Sequence, residues 1–307
     1  MPRAIRIHLL SAAVVLVLGV GLTHAVCPLG DIDGDCDVDA LDLRAFAAHW
    51  LDADCVSPDC RADLDGRADV NAPDFALFSG HWLTDHNLPA QITWFAHASF
   101  KVVWSDTTIY IDPRNLSIVP HDADIILVSH SHGDHYHPAS IANVSNAQTT
   151  LVASTDVIAS QGYGIAMIPN QSLRLGQVVI YTIPSYNLIK TNHPRSKNWL
   201  GYIIDAGPLR IYYAGDTDRI PEMAQLTAID VAILPVGGTY TMNAAEAAAA
   251  TGDFLPGLGI PAHWGTSVGT LADAQLFQAQ AHCPVVIMSH GQTISTDKPF
   301  GDPPPDR

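Results

Sequence analysis

The fold of this 307-residue chain is decided by one stretch of sequence, Ile125-Ile126-Leu127-Val128-Ser129-His130-Ser131-His132-Gly133-Asp134-His135. Its first half is a continuous apolar run, which is typical of a buried strand. In the second half two histidines at spacing two share a direction, Gly133 permits a tight turn, and the Asp-His pair then faces the other way. Four ligand-capable side chains on one loop at the end of a strand predict a metal site.

Strand-like and helix-like segments alternate around this stretch. Three segments before it predict strands, namely Ile92 to Ala96, Phe100 to Trp104 and Thr108 to Ile111, and Pro138 after it predicts the start of a helix. Further polar motifs follow one another in the order Ala96-His97-Ala98-Ser99-Phe100, Ile111-Asp112-Pro113, Pro184-Ser185-Tyr186-Asn187 with His193, Tyr212-Tyr213-Ala214-Gly215-Asp216-Thr217-Asp218, Leu234-Pro235-Val236-Gly237-Gly238-Thr239-Tyr240, and Ile260-Pro261-Ala262-His263.

These motifs, together with the H-x-H-x-D-H pattern at residues 130–135, resemble the metallo-β-lactamase superfamily over about residues 91–294. Within it the chain looks similar to the branch of small metal-dependent hydrolases that includes ascorbate-6-phosphate lactonase. The resemblance implies an α/β fold, an αββα sandwich of two mixed sheets between helices. It also implies a hydrolase in which metal-bound hydroxide attacks an ester, lactone or phosphoester bond of a small-molecule substrate.

The same resemblance implies two divalent transition-metal ions. Carried over to this sequence, one ion is held by His130, His132 and His193, the second by Asp134, His135 and His263, and Asp216 bridges the two. Each ion then keeps a position for water, as catalytic zinc does. Zinc is the first expectation for both ions, although the same nitrogen and oxygen donors accept Mn, Fe or Co.

Asp134 and His97 are the candidate catalytic residues. In the family the position of Asp134 serves as a metal ligand, as a proton acceptor, or as both. His97 follows the first predicted strand, where it either touches substrate, supports the site from behind, or is structural. Asp112 either accepts the second N–H of a ligand histidine or caps the turn before Pro113.

The sequence also offers candidates for contact with substrate. Tyr186, Asn187 and Tyr240 are candidates for polarising it, with packing inside the loops as the alternative reading. A basic cluster could meet a phosphate or carboxylate group; its members are Lys190, Arg195 and Lys197. No G-x-S-x-G motif is present, so a serine nucleophile is not predicted.

A repeat precedes this region, because residues 31–51 and 63–83 coincide at an offset of 32. The first loop reads D-I-D-G-D-C-D-V-D-A-L-D, the second reads D-L-D-G-R-A-D-V-N-A-P-D, and the segment after each ends in F-x-x-H-W-L. Carboxylates at alternating positions of a twelve-residue loop can wrap around Ca²⁺, which takes six to eight oxygen ligands. The two loops resemble those of dockerin modules, in which each loop precedes a single helix.

The resemblance to dockerins covers residues 28–84 and implies two calcium sites and a cohesin-like partner. The ligands would be Asp31, Asp33, Asp35, Asp39 and Asp42 in the first site, and Asp63, Asp65, Asn71 and Asp74 in the second. Two departures stand out: Arg67 occupies a ligand position, and Ala40-Leu41 and Ala72-Pro73 replace the usual hydroxyl pair of the cohesin-contacting positions. A solvated acidic loop pair is the alternative. A small core between the helices is expected from Phe46, Trp50, Phe78 and Trp82.

The N-terminus has the pattern of a secretory signal peptide over residues 1–25. Arg3 and Arg6 precede the apolar run Leu9 to Leu22, and Thr23-His24-Ala25 offers a cleavage site. A membrane anchor is the alternative, but about 14 apolar residues fall short of the roughly 20 that span a bilayer. We therefore expect a secreted, periplasmic or cell-surface protein that has no membrane segment after cleavage.

Export permits disulfide bonds, and four of the five cysteines lie early, at Cys27, Cys36, Cys55 and Cys60. Four cysteines allow three pairings, among which sequence does not choose. Cys283 stands apart and is expected to be a buried core thiol. A polar linker at residues 85–90 and a flexible tail at 295–307 complete the predicted organisation.

The charge of the chain excludes some partners. It has 31 acidic and 15 basic residues, a net charge of −16, and no basic footprint for nucleic acid or an anionic membrane. Residues 28–84 contain thirteen Asp and three Arg, a net of −10, so most of the charge lies in the repeat. The alternative function is a non-enzymatic surface or scaffold calcium-binding protein with an inactive hydrolase domain. It would be recognised by a missing metal ligand, and the predicted set lacks none.

The two predicted regions should respond differently to the removal of calcium. We expect a calcium chelator to unfold residues 28–84 and to leave the hydrolase region folded, because calcium is predicted to order only the acidic loops. Circular dichroism melts of the isolated repeat, with and without chelator, measure this. Superimposable melts would contradict the expectation, and residues 91–307 alone serve as the control.

Overall fold

The computed structural model describes residues 29–34, 38, 40–53, 60–67, 69–80, 90–206, 209–266 and 268–296. The predicted signal peptide, the linker up to residue 89 and the tail from residue 297 lie outside these ranges. Helices are α1 Ala40–Ala48, α2 Ala72–Gly80, α3 Pro138–Val144, α4 Thr155–Gln161, α5 Ala244–Phe254 and α6 Leu271–Gln280, with 3-10 helices at Arg195–Lys197 and Pro221–Gln225. Strands are β1 Gln91–Ala96, β2 Ser99–Trp104, β3 Thr107–Ile111, β4 Ala123–Val128, β5 Ser145–Ser154, β6 Ile165–Met167, β7 Ser172–Leu175, β8 Val178–Pro184, β9 Leu200–Ala206, β10 Leu209–Tyr213, β11 Val231–Pro235, β12 Leu258–Ala262 and β13 Thr293–Ser295.

These strands form two mixed sheets. The first has the order β13-β1-β2-β3-β4-β5-β6 and the second the order β12-β11-β10-β9-β8-β7. In the first sheet β3 to β6 run parallel and the remaining neighbours are antiparallel. In the second sheet β10 to β12 run parallel and β7 to β10 antiparallel. The expected α/β fold with two mixed sheets and helices is confirmed, as are the predicted strands and the helix that begins at Pro138.

The apolar run that opens the decisive stretch is buried on both faces. Alternate residues of β4 serve two cores: Ile125 and Leu127 join residues of the second sheet in the main core, whereas Ile126 and Val128 pack against α3 and α4. On the far side, α5 and α6 pack on β11 and β12. A strand that is covered on both faces has no polar side, which is why its sequence shows no alternation.

The ends of several strands meet at one edge of the molecule. In the first sheet β1, β3 and β4 share one direction, and their carboxyl ends lead to His97, Asp112 and His130. In the second sheet β10 and β12 share one direction, and residues after their ends include Asp216 and His263. Parallel strands therefore deliver side chains far apart in sequence to one place.

The predicted boundaries of this region, residues 91 and 294, are wrong by one or two residues. Ala90 is buried, and its N–H donates to Thr296 Oγ1 at 3.0 Å while its carbonyl accepts from Thr296 N at 2.9 Å. Ser295 pairs with Gln91 in the first sheet. The predicted linker therefore ends one residue too late, and the predicted tail begins two residues too early.

In the repeat, α1 and α2 follow the two acidic loops, as the pattern predicts. Phe46 and Phe78 stack at 5.2 Å between ring centroids in a small core with Val38 and Val70. The expectation that Trp50 belongs to this core is wrong, since 44% of it is exposed and its ring lies at the margin, 5.8 Å from that of Phe46 and 6.2 Å from that of Phe75 between centroids. Trp82 lies outside the described residues.

The cysteines divide as the early cluster suggests. Cys60 is disulfide-bonded and Cys283 is a free thiol. The other three early cysteines lie outside the described residues. Cys283 is half-buried rather than fully buried as expected, and this burial raises the pKa of its thiol to about 11. No helix among the described residues is long and apolar enough to cross a bilayer.

Strand β13 should be needed for stability although it is only three residues long. We expect a chain that ends at Gln292 to lose about 2–4 kcal/mol in the free energy of unfolding, because β1 then loses its outer partner and Ala90 loses its three hydrogen bonds with Thr296. A chain that ends at Thr296 is the matched control and should melt like the full chain. Denaturant titration of the three chains measures the difference, and equal midpoints would contradict it.

Candidate metal centre

The decisive loop forms a tight turn between β4 and α3. His135 N and Tyr136 N both donate to the carbonyl of His132, at 2.9 and 2.8 Å. His130 and His135 are buried, whereas His132 is half-buried. The turn does not depend on the glycine at Gly133, because its backbone lies outside the left-handed region and an added Cβ would meet nothing within 4 Å.

Asp216 lies at the centre of the site, and imidazole nitrogens surround its carboxylate. Its Oδ2 lies 3.1 Å from His263 Nε2 and 3.2 Å from His193 Nε2, and its Oδ1 lies 3.1 Å from His135 Nε2. His130 Nε2 is 3.9 Å from Oδ2. These residues come from four separate parts of the chain, so the predicted ligands, His193 among them, are brought together only by the fold.

The site has two halves on either side of Asp216. The three-His half consists of His130, His132 and His193, whose ligand atoms lie within 4.8 Å of one another. The Asp134 half consists of Asp134, His135 and His263, and His97 belongs to the same group of atoms. The structure therefore places the predicted ligands of the two ions in two adjacent groups.

The residues fit a metal centre. His135 Nε2, His193 Nε2, His263 Nε2 and Asp216 Oδ1 are buried, and none of them has a hydrogen-bond partner. A buried polar atom without a partner costs about 1–3 kcal/mol, so several of them converging on one point need a shared ligand. Imidazole nitrogens with carboxylate oxygens are donors that zinc and its neighbours in the first transition series accept.

Asp112 orients His135. Of the two roles that the sequence left open for Asp112, the structure shows the one in which it accepts the second N–H of a histidine. Its Oδ2 accepts the Nδ1 proton of His135 at 2.6 Å and the hydroxyl proton of Tyr213 at 2.5 Å, while Oδ1 accepts from Ser129 N at 2.7 Å. The carboxylate is fully buried. With Nδ1 engaged, His135 presents Nε2 and its lone pair to the site. Sequence reasoning missed Tyr213, although it lies in the motif that ends in Asp216.

His97 lies inside the site rather than apart from it. Its Nε2 is 3.1 Å from Asp134 Oδ2, its Nδ1 is 2.9 Å from Thr266 Oγ1, and its ring centroid is 3.9 Å from that of His263. His97, Asp112 and His263 all have positive φ, of 56°, 43° and 58°. Such strain in residues other than glycine persists where surrounding contacts hold it, and here it coincides with the site.

The candidates for substrate contact have other partners. Asn187 Nδ2 donates to the carbonyl of Tyr240 at 2.7 Å, and the same carbonyl lies 3.1 Å from His193 Nδ1. The hydroxyl of Tyr186 donates to Glu222 at 2.9 Å. Asn187 and the backbone of Tyr240 thus support His193, Tyr186 is packed within its loop, and only the partly exposed side chain of Tyr240 faces solvent. For Tyr186 and Asn187 these contacts favour the alternative of loop packing.

Two of the three cations in the predicted basic cluster are paired with carboxylates. Lys190 contacts Asp218, and Arg195 lies 2.9 Å from Glu222. Lys197 is exposed and lies 5.9 Å from the ring centroid of Trp199. The cluster therefore presents less free positive charge than its sequence suggests.

The electrostatics differ between the two halves. Burial, aided by neighbouring histidines, lowers the pKa of His130 and of His132, so these imidazoles are neutral and able to bind metal. Burial opposes ionisation of Asp216, but His135 and His263 outweigh it and hold the pKa of Asp216 well below its usual value. In return, and against the effect of burial, Asp216 and Asp134 raise the pKa of His263 to about 9.

With this geometry, the fold and site define a metallo-β-lactamase-type hydrolase. The family model described as "Beta-lactamase superfamily domain" matches residues 91–263. The chain is 33% identical to a UPF0173 metal-dependent hydrolase of Pyrococcus furiosus, a match that covers 66% of this chain and 98% of that protein. It is 30% identical to one of Archaeoglobus fulgidus, covering 68% and 100%. A crystal structure described as a metal-dependent hydrolase from Parabacteroides distasonis is 31% identical with a TM-score of 0.59, covering 66% and 94%.

The chain belongs to the UPF0173 metal-dependent hydrolases of the metallo-β-lactamase superfamily. The resemblance to the superfamily is thereby confirmed, whereas the lactonase branch and the dockerin-like module stay predictions. The matched family model begins at residue 91, after the repeat.

Gly237 should be essential to the site, and the sequence signals it only as the first glycine of a Gly-Gly pair. An added Cβ would lie 2.5 Å from the carbonyl oxygen of His263 and 3.2 Å from its Nδ1. We expect Gly237→Ala to displace His263 and weaken metal binding about 10- to 100-fold. Gly133→Ala, the matched control, should keep its metal. Metal analysis after dialysis against a weak chelator compares the two variants, and equal metal content would contradict the expectation.

Proposed function

We propose that this metal-dependent hydrolase binds two divalent transition-metal ions, zinc in the first instance, and cleaves an ester, lactone or phosphoester bond of a small molecule. The observation that carries the proposal is the convergence of buried, unpaired nitrogen and oxygen atoms on Asp216. One ion would be held by the three-His half, the other by the Asp134 half, and Asp216 would bridge them. Bound there, the ions would lower the pKa of water and polarise the bond to be cleaved.

The side chains of the chain itself supply orientation and a proton acceptor. Asp112 holds His135 through Nδ1, and the carbonyl of Tyr240 holds His193 in the same way. Asp134 is 31% exposed, which makes it the accessible carboxylate of the site. We assign it the role of accepting a proton at Oδ2, with His97 holding that oxygen at 3.1 Å.

The charge around the site favours an ester or lactone over a phosphoester. A phosphoester substrate gains from free cations beside the reacting bond. Lys190 and Arg195 already contact Asp218 and Glu222, so neither is free to bind an anion without breaking an ion pair, and of this cluster Lys197 is the cation left to meet a phosphate.

Metal content and activity should depend on each other. We expect about two transition-metal ions per chain, no activity after chelation, and recovery when zinc is restored, because the site's own donors leave its centre unsatisfied. His130→Ala should lower activity at least about 100-fold, since it removes a ligand. The exposed His290 offers a matched control in His290→Ala.

Elemental analysis and a panel of esters, lactones and phosphodiesters measure these outcomes. A metal-free wild type together with unchanged activity in His130→Ala would overturn the assignment. A wild type that holds no transition metal and hydrolyses no member of the panel would favour the alternative of a non-enzymatic calcium-binding protein.

We further propose that the repeat binds calcium. Carboxylate oxygens of Asp31, Asp33 and Asp42 lie within 4.8 Å of one another, as do those of Asp63, Asp65 and Asp74. Asp42 and Asp74 are fully buried and accept equivalent backbone bonds, from Ile32 and Asp33 in one loop and from Leu64 and Asp65 in the other. The geometry therefore repeats with the sequence.

Further contacts in the repeat support the second site. Asn71 Oδ1 is buried without a hydrogen-bond partner, as expected of a ligand atom. Arg67 lies 3.5 Å from Asp65, but its side chain is 76% exposed, so it need not fill the loop. Asp35 and Asp39 lie outside the described residues. Two further parts complete the proposal. Export follows from the signal-peptide pattern at residues 1–25, and attachment to a cohesin-like partner follows from the resemblance of the repeat to dockerins.

A further inference from the structure

Trp199 packs against the three-His half and has no role in the sequence-based prediction. It lies one residue before β9 and is buried, with 4% of its surface exposed. Its ring centroid is 4.7 Å from that of His132, 4.8 Å from that of His130 and 5.5 Å from that of His193. One indole therefore touches every imidazole of this half.

Hydrogen bonds fix the indole in place. Trp199 Nε1 donates to Asp156 Oδ2 at 2.8 Å, and the same oxygen accepts the hydroxyl proton of Ser131 at 2.7 Å. Ser131 is the residue between the first two histidines of the decisive loop. The other oxygen of Asp156 accepts from Ser154 Oγ and Val157 N, so both carboxylate oxygens are engaged.

The backbone ties the same two segments together. Leu200 N donates to the carbonyl of Ser129 at 3.1 Å, and the carbonyl of Trp199 accepts from Ser185 N at 3.0 Å. The indole is thus held at its N–H and at its backbone. It cannot move without disturbing the loop that carries the histidines.

The support is one-sided. Among the described residues, the histidine rings that Trp199 contacts are those of the three-His half. The Asp134 half relies on Asp112, on His97 and on Trp94, whose Nε1 donates to the carbonyl of His97 at 3.1 Å. Ser129 Oγ joins the two halves, because it lies 2.9 Å from His130 Nδ1 and donates to Asp112 Oδ2 at 2.7 Å, but the indole itself packs on the three-His half.

We propose that Trp199, anchored by Asp156, is a positioning residue that sets the affinity of the three-His half for its ion without setting that of the Asp134 half. Ligand atoms must be held within about 0.5 Å and 10–20° of their binding geometry. A fixed indole face against three rings restricts their rotation, so less rotational freedom is lost when the ion binds. The inference rests on the proposed two-ion function.

The test is titration of the metal-stripped full chain with Co²⁺, followed by visible absorption and by competition with a chelator. We expect Trp199→Ala to bind one ion like the wild type and the other about 10- to 100-fold more weakly. Trp199→Phe keeps a ring but loses the bond to Asp156, and should lie between the two. Trp94→Phe, on the opposite side of the site, is the matched control and should keep the affinity of the three-His half.

A double variant identifies the half that is affected. His193→Ala removes a ligand of the three-His half, so adding Trp199→Ala to it should leave the affinity of the remaining ion unchanged. Circular dichroism of each variant confirms that the fold is retained, and Trp199→Phe serves if Trp199→Ala does not fold.

Equal weakening of both ions, or of neither, would overturn the inference. If the wild type binds only one ion, that result contradicts the two-ion function proposed above. The role of Trp199 is then decided by whether Trp199→Ala weakens that single ion, and an unchanged affinity refutes it.

Discussion

The structure depends on the buried carboxylate of Asp216, which no lysine or arginine among the described residues neutralises. Asp216 has 3% of its surface exposed, and imidazoles rather than lysine or arginine surround it. Burying a charge costs several kcal/mol unless it is compensated. Here the compensation comes from histidines, and those of their nitrogens that lack a hydrogen-bond partner fit a cation held in common.

Strained backbone and buried hydrogen bonds in the surrounding fold hold this arrangement in place. Asp112 and His263 have positive φ, and Gly237 passes too close to His263 to carry a side chain. Asp112 joins His135 to Tyr213 across the two sheets. Such features weaken a fold unless they hold a functional group, which explains why they gather at the ends of the strands.

Much of this could be predicted from sequence, because local patterns carry local chemistry. The apolar run before His130 indicated a buried strand, and the histidine pattern after it indicated metal ligands without any structural information. The repeat indicated two helices after two acidic loops. The places where prediction failed are instructive: 44% of Trp50 is exposed, and Ser295 belongs to a strand. Each of these depends on neighbours that are distant in the chain.

The sequence by itself determined the fold family and the candidate metal ligands, because ligand type and motif order are properties of the chain. Only the tertiary structure decided what holds those ligands. It showed that Asn187 supports His193, that Asp112 orients His135, and that Trp199 packs on the three-His half. The reason is physical: orientation of a ring depends on contacts between strands that pair or pack across sheets, and no local pattern records them.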